Sequence, residues 1–270
     1  AAANILLGNP LDAAALELTL MGPRLQALTP LRAALVGADL QPMLDGHPAP
    51  MGRVIHLQEG QVLDFKGPKS GARAILAIEG GICSPLMLGS RSVYPLGRLG
   101  QALQKGERIL AGPAGGASGW AELPENFIPP LPAEAEIRVV AGPNLDYFSP
   151  SGIETFFSSV YQLTQGSDRR GMRLDGPAVE LNPDMPDSII SEPNTPGVIQ
   201  VPAGGQPIIQ LREQTVGGYA KIATVISADL DVLARLLPGS SLRFVRVPLD
   251  QAVSEARKRS SQFTRLAGQA

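Results

Sequence analysis

Three short polar segments carry side chains that could bind a small molecule. In Gln214-Thr215-Val216-Gly217-Gly218-Tyr219 an amide, a hydroxyl and a phenol surround a double glycine. Side-chain amides and bare backbone N–H groups suit a lactam or ureido group, which presents one acceptor and one or more donors. The same residues also fit a hairpin in which Gly217-Gly218 supply positive φ and Tyr219 packs inward. Ser167-Asp168-Arg169-Arg170-Gly171-Met172-Arg173-Leu174 gathers three arginines and one carboxylate, either as an anion site or as a turn pinned by an internal pair from Asp168. Gly89-Ser90-Arg91-Ser92 joins a glycine, which lets a ligand approach the backbone, to two hydroxyls and a guanidinium that could hold a carboxylate. Its alternative is a tight turn whose serines bond their own backbone.

Other chemistries lack their residues. The sequence has no G-x-x-x-x-G-K-[ST] phosphate loop, no G-x-G-x-x-G after a strand and no G-x-S-x-G nucleophile elbow, so ATP binding by this chain alone is not supported. His47 and His56 are the two histidines; neither stands in a metal-ligand spacing, and a lone cysteine cannot complete a zinc set. No metal is expected. Cys83 reads as a small core residue and excludes an intrachain disulfide framework, which fits a reducing compartment.

The elements that hold these segments are mostly strands. Glu136-Ile137-Arg138-Val139 alternates with period two, as a half-buried strand does. Further strands are expected at 16–20, 53–57, 61–65, 72–78, 197–201, 207–211, 221–226 and 242–247, mostly separated by Gly, Pro or polar turn residues. Helices are few. Ser149-Pro150 offers an N-cap with proline at the first helical position, predicting a helix over 151–159. Ser227 precedes a second over 228–237, closed by Pro238-Gly239, and 251–266 forms a polar terminal helix.

Gly 30 and Pro 25 among 270 residues, with 44% hydrophobic residues, describe a turn-rich β protein with adequate cores. Between Gly112 and Ala133, five prolines and Gly115-Gly116 cannot sustain a helix or a central strand. The expected division is a β-rich domain over 1–112, a linker over 113–134 and a second β domain over 135–270. Lys+Arg 23 against Asp+Glu 25, formal net charge -2, gives no basic block, making nucleic acid and anionic membranes poor partners. No apolar run reaches the roughly 18 residues of a membrane span, and the opening residues lack a signal-peptide pattern, so the cytoplasm is expected.

Taken in order, these blocks resemble the family variously called KipA, allophanate hydrolase subunit 2-like, biotin-dependent carboxyltransferase-like and the 5-oxoprolinase C subunit. The resemblance runs from Ala3-Asn4-Ile5-Leu6-Leu7-Gly8-Asn9, Leu16-Glu17 to Gly22-Pro23 and Gly80-Gly81-Ile82 through Leu88-Gly89-Ser90-Arg91-Ser92. It continues with Ser167-Asp168-Arg169, Arg173-Leu174 and Gly176, then Gly197 to Pro202, Gly205 to Pro207 and Gln214 to Tyr219. It implies a mainly β fold with a few helices, built as two cyclophilin-like β-barrel domains. It further implies an enzyme that hydrolyses 5-oxo-L-proline to L-glutamate with ATP, active in a hetero-complex with a KipI-like B subunit plus an A subunit. On that reading Arg91, Arg169 or Arg173 holds an anionic group, Gln200, Gln214 and Thr215 face the lactam amide, and a partner completes the ATP site. Alternative readings are carboxyl transfer to urea or a related amide, and a non-catalytic regulator of a KipI-type partner. No Met-Lys-Met biotin-attachment motif is present, so biotin would arrive on another protein. Family members also carry a Gln-Asp-x-Gly-Arg segment ahead of the asparagine-led block and a longer glycine-rich loop after the position of Ser92; ligand groups from that segment and part of that loop are expected to be missing from 1–270.

Overall fold

The computed structural model describes residues 1–114, 119–125 and 127–268; the Gly115-Gly116 pair lies outside them. The chain forms two compact units, Ala1–Pro130 joined by the chain end from Ser260, and Leu131–Arg259.

In the first unit the asparagine-led opening is a helix, α1 (Ala2–Leu7), whose six residues are all buried and which ends at Gly8 in the left-handed region. Asn4 is 2% exposed. Its Nδ2 donates to the carbonyls of Leu11 and Ala13, while Asn9 Nδ2 donates to Asn4 Oδ1 and to Ile78 O. The two amides thereby tie α1 to the loop after it and to the sheet beneath. That sheet has the order β1 (Leu16–Thr19), β8 (Ser70–Ile78), β3 (Leu31–Asp39), β6 (Val54–Leu57). A second sheet orders β2 (Leu25–Gln26), β7 (Val62–Phe65), β4 (Pro42–Leu44), β5 (His47–Pro48).

β3 is buried on both faces, which explains why its run of apolar residues shows no alternation. Ala33 and Leu35 join Leu63, Phe65 and Leu76 in the core, while Ala34 and Val36 meet Leu6 and Leu7 of α1. Trp120, Leu123, Phe127 and Ile128, from the proline-rich stretch, pack on this same α1 cluster. Trp120 Nε1 also donates to Leu266 O at 3.0 Å.

The second unit is a closed barrel. Its order is β10 (Val160–Leu163), β11 (Gly171–Asp175), β14 (Ile208–Gln210), β13 (Val198–Val201), β16 (Ala220–Val225), β9 (Glu134–Ala141), β17 (Ser241–Arg246). β17 closes it by pairing parallel to β9 and antiparallel to β10. A ribbon of β12 (Glu192–Pro193) and β15 (Val216–Gly217) stands apart from the barrel sheet. Met172, Leu174, Ile199, Val201, Ile209 and Phe244 point into the core.

Helix α2 (Pro150–Ser158) begins as expected: Ser149 Oγ accepts from Gly152 N, and proline occupies the first turn. Phe156 of α2 is fully buried and stacks on Phe244, with ring centroids 4.5 Å apart. A Cβ at Gly152 would lie 2.2 Å from Glu180 O, so only glycine lets α2 approach so closely. The second expected helix opens instead as a 3-10 turn (Ser227–Asp229) before α3 (Leu230–Arg235), and no Ser227 side-chain cap forms. Asp229 is occupied elsewhere, accepting from Arg138 Nη2 at 2.6 Å and Nε at 3.0 Å. The terminal helix α4 runs Leu249–Gly268.

The mainly β fold with few helices matches the expectation, with two differences. One unit closes into a barrel, while the other shows two four-stranded sheets; its strands β2, β4 and β5 are two or three residues long, too short to continue a staggered ladder around a barrel. Cys83 is exposed rather than a core residue, because it lies in the irregular segment that follows β8, where its N–H is bonded to Leu110 O.

Candidate functional site

Strand alternation creates the site. Wherever Met172, Ile199, Val201 and Ile209 point into the barrel, their neighbours point out, and on three adjacent strands those neighbours include Gly171, Arg173, Gln200 and Gln210. Arg173 pairs in register with Ile208, Ile208 with Gln200, and Gln200 with Lys221, a row across β11, β14, β13 and β16 on the outer wall. The adjacent row pairs Gly171 with Gln210.

The β12–β15 ribbon roofs this wall. Lys221, 7% exposed, anchors it through Nζ to Glu192 Oε1 at 2.9 Å and Pro193 O at 3.1 Å. Under the roof Gln200 is 1% exposed. A Cβ at Gly217 would lie 2.5 Å from Gln200 Nε2 and 2.6 Å from Asn194 Nδ2, so this glycine is demanded by close approach. Neither Gly217 nor Gly218 has positive φ, since Gly217 lies in a ribbon strand and not at a hairpin tip. Tyr219 is 42% exposed rather than packed inward.

Between wall, ribbon and the loops at 188–191 and 214–219 lies a cavity of about 500 Å3. This is the size of a small-molecule site. Of the residues singled out from sequence, Asp168, Arg173, Gln200, Gln214, Gly217, Gly218 and Tyr219 line it. The others do not. Arg169 pairs with Glu213 (Nε to Oε1 2.7 Å), and Ser167 Oγ bonds the backbone of Arg173. Thr215 is exposed and contributes its carbonyl to Asn194 N. Ser90, Arg91 and Ser92 belong to the first unit, in a tight turn where Met87 and Ser90 exchange backbone hydrogen bonds. Ser90 Oγ there accepts from Ser92 N, and the Arg91 guanidinium donates to Ser84 O.

The two arginines on the cavity differ. Arg170 is held by Asp168 through Nε at 2.7 Å and Nη2 at 2.6 Å, and Asp168 Oδ1 also accepts from Arg170 N and Gly171 N. Burial pushes the Asp168 carboxyl up, but these hydrogen bonds outweigh it and hold its pKa below the ordinary value. Asp168 is thus the pin of its turn. The Arg173 guanidinium has no hydrogen bond or ion pair among the described residues and remains available to an anion.

Three glutamine amides face these charges. Gln210 Nε2 donates to Gln200 Oε1 at 3.1 Å, and Gln200 Nε2 to Asn194 Oδ1 at 3.4 Å. Gln214 Nε2 donates to Val216 O within its own loop. Among the described residues the site therefore offers one free cation and several neutral donors and acceptors, which suits a small acid bearing an amide. Arg170 and Gly171, from the three-arginine segment, also line the cavity, and lining residues missed from sequence include Ser188, Ser191, Ile208 and Gln210. Gln210 did leave a signal. Val198-Ile199-Gln200-Val201 and Ile208-Ile209-Gln210-Leu211 each interrupt an apolar run with a glutamine, which costs free energy unless the amide is bonded or used. Among the described residues no group of His, Cys, Asp and Glu could hold a metal ion, and no helix is long and apolar enough to cross a membrane.

The family profile for the carboxyltransferase domain, subdomain A and B, matches residues 1–246. The chain belongs to this family. It is 34% identical to the 5-oxoprolinase C subunit of Escherichia coli (strain K12), over 98% of this chain and 85% of that protein. It is 33% identical to the 5-oxoprolinase C subunit of Haemophilus influenzae, over 95% of this chain and 82% of that protein. Among solved structures, K. lactis urea amidolyase superposes with a TM-score of 0.91 at 26% identity over 98% of this chain. The chain spans 17% of that much longer protein. The family resemblance read from the ordered motif blocks is thereby shown, and the names carried by these relatives are those of enzymes or enzyme subunits.

Proposed function

We propose that this chain is the C subunit of an ATP-dependent 5-oxoprolinase and supplies the binding site for 5-oxo-L-proline. The observation that carries the reading is the unpaired Arg173 guanidinium set among glutamine amides in one cavity. Arg173 holds the substrate carboxylate, and Gln200, Gln210 and Gln214 surround the lactam. The similarity to the bacterial C subunits over most of both chains supports the same assignment. Two cyclophilin-like domains, divided near the proline-rich stretch, remain the finer reading of the fold.

The cavity does not fit a nucleoside triphosphate. Among the described residues its lining has one unpaired cation and no glycine-rich loop leading into a helix N-terminus. On this reading a partner, either the KipI-like B subunit or the A subunit, completes the ATP site. Opening a lactam is demanding, and coupling it to ATP is the partners' contribution; this chain binds and orients the acid.

The test is 5-oxoproline-dependent ATP hydrolysis by the chain reconstituted with its A and B partners. Arg173→Ala should raise KM for 5-oxoproline at least about tenfold, as loss of a charge-assisted hydrogen bond does. Unchanged kinetics in that variant sink the assignment. The similarity to urea amidolyase favours a second reading, carboxyl transfer to a urea-like acceptor from biotin carried on another protein. Carboxylation of urea with biotin supplied in trans, without 5-oxoproline turnover, selects it.

A further inference from the structure

Gln210 was not among the residues picked out by motif, and its environment gives it a distinct part. It is 6% exposed, lies on the outer wall of the barrel and lines the cavity. Its amide polarity follows from the chain of bonds beside it. Gln200 Nε2 donates to Asn194 Oδ1 at 3.4 Å, and Gln210 Nε2 donates to Gln200 Oε1 at 3.1 Å. That leaves Gln210 Oε1 facing away from Gln200, with no hydrogen bond among the described residues. Directly opposite on β11 stands Gly171, so no side chain at that register position covers the oxygen. An amide oxygen that lines a cavity without a protein donor is open to an N–H brought by a ligand.

We infer that Gln210 is the specificity-determining residue that accepts the ligand's ring N–H, and that with Arg173 it selects a lactam bearing a carboxylate next to its nitrogen. This rests on the reading of the cavity as a 5-oxoproline site. The geometry supports the pairing. Arg173 faces Ile208 across the β11–β14 ladder, and Gln210 is two residues further along, the diagonal position on the same face. Diagonal neighbours in an antiparallel pair lie about 7–8 Å apart, a gap that two long side chains close on a small ligand. In 5-oxoproline the ring N–H and the carboxylate are borne on adjacent ring atoms, so one molecule satisfies both groups. Urea supplies the N–H without the anion, and an open acyclic acid supplies the anion without the lactam.

The discriminating probe is 3-oxocyclopentane-1-carboxylate, in which a CH2 replaces the ring N–H while carboxylate and carbonyl are kept. In the reconstituted assembly its Ki against 5-oxoproline should lie about tenfold or more above the KM for 5-oxoproline, the cost of facing the Gln210 acceptor with no donor. Gln210→Met should raise that KM about tenfold and leave the Ki of the ketone unchanged, collapsing the preference. The Ki of the ketone against the assembly with the unaltered chain needs no variant and decides the matter if Gln210→Met does not fold. A parallel rise in KM and Ki, or no change in either, overturns the assignment of Gln210 while leaving the 5-oxoproline site standing. Absence of 5-oxoproline-dependent turnover with the unaltered chain overturns that parent reading and this inference with it.

Discussion

Gly217 shows how much a single missing side chain decides. With its Cβ position 2.5 Å from Gln200 Nε2, and Gln200 only 1% exposed, the amide has no room to retreat. Gly217→Ala should cost about 1–3 kcal/mol by overpacking and raise KM for 5-oxoproline, read from a denaturant midpoint and from assembly kinetics. Asp168 offers a test by pH. Its folded pKa is lowered, burial opposing and the Arg170 and Gly171 hydrogen bonds prevailing. A depressed folded pKa means that its contribution to the turn is present above the unfolded value and disappears as pH falls through the folded one. The Arg170 and Gly171 amide resonances should therefore titrate with a midpoint below the ordinary aspartate value of about 3.9, and a midpoint at or above it contradicts the pin.

At the scale of elements, α2 and the ribbon are held by different means. The helix depends on its first turn, where Ser149 Oγ accepts from Gly152 N and donates to Glu180 Oε2 at 2.7 Å. Ser149→Ala should lower stability by about 1 kcal/mol, the ordinary worth of such a cap, visible as a shift in urea midpoint at unchanged slope. The ribbon has two-residue strands and no core of its own. It stays over the barrel wall through the buried Lys221 amine, while the backbone bond from Asn194 N to Thr215 O joins its own two strands.

For the molecule as a whole, each unit carries its own hydrophobic core, and the candidate site lies wholly on the second. The barrel wall that bears it is backed by Phe156, Tyr161 and Phe244, all nearly inaccessible. Phe156→Ala should destabilise this unit by about 3–5 kcal/mol, because both the transferred area and the cavity left behind count. Hydrogen exchange of the β13, β14 and β17 amides measures it; protection as in the unaltered chain would show that the ring does not support the wall.

Sequence by itself determined the local rules: strands where apolar residues alternate, a capped helix at Ser149-Pro150, a polar terminal helix, and the ordered blocks that mark the family. These depend on near neighbours, so they are legible along the chain. Its polar segments also pointed to Asp168, Arg173 and Gln214, and the family resemblance pointed to Gln200. Other features depend on pairings across many residues. β3 carried no alternation because α1 covers its second face. Arg169 and Arg173 look alike in a motif; only the approach of Glu213 removes the first from the candidates, and only the pairing of β11 with β14 leaves the second facing the cavity. Gln210 became a site residue because the register sets it opposite a glycine and beside Gln200, and register is a property of the folded sheet rather than of any one strand.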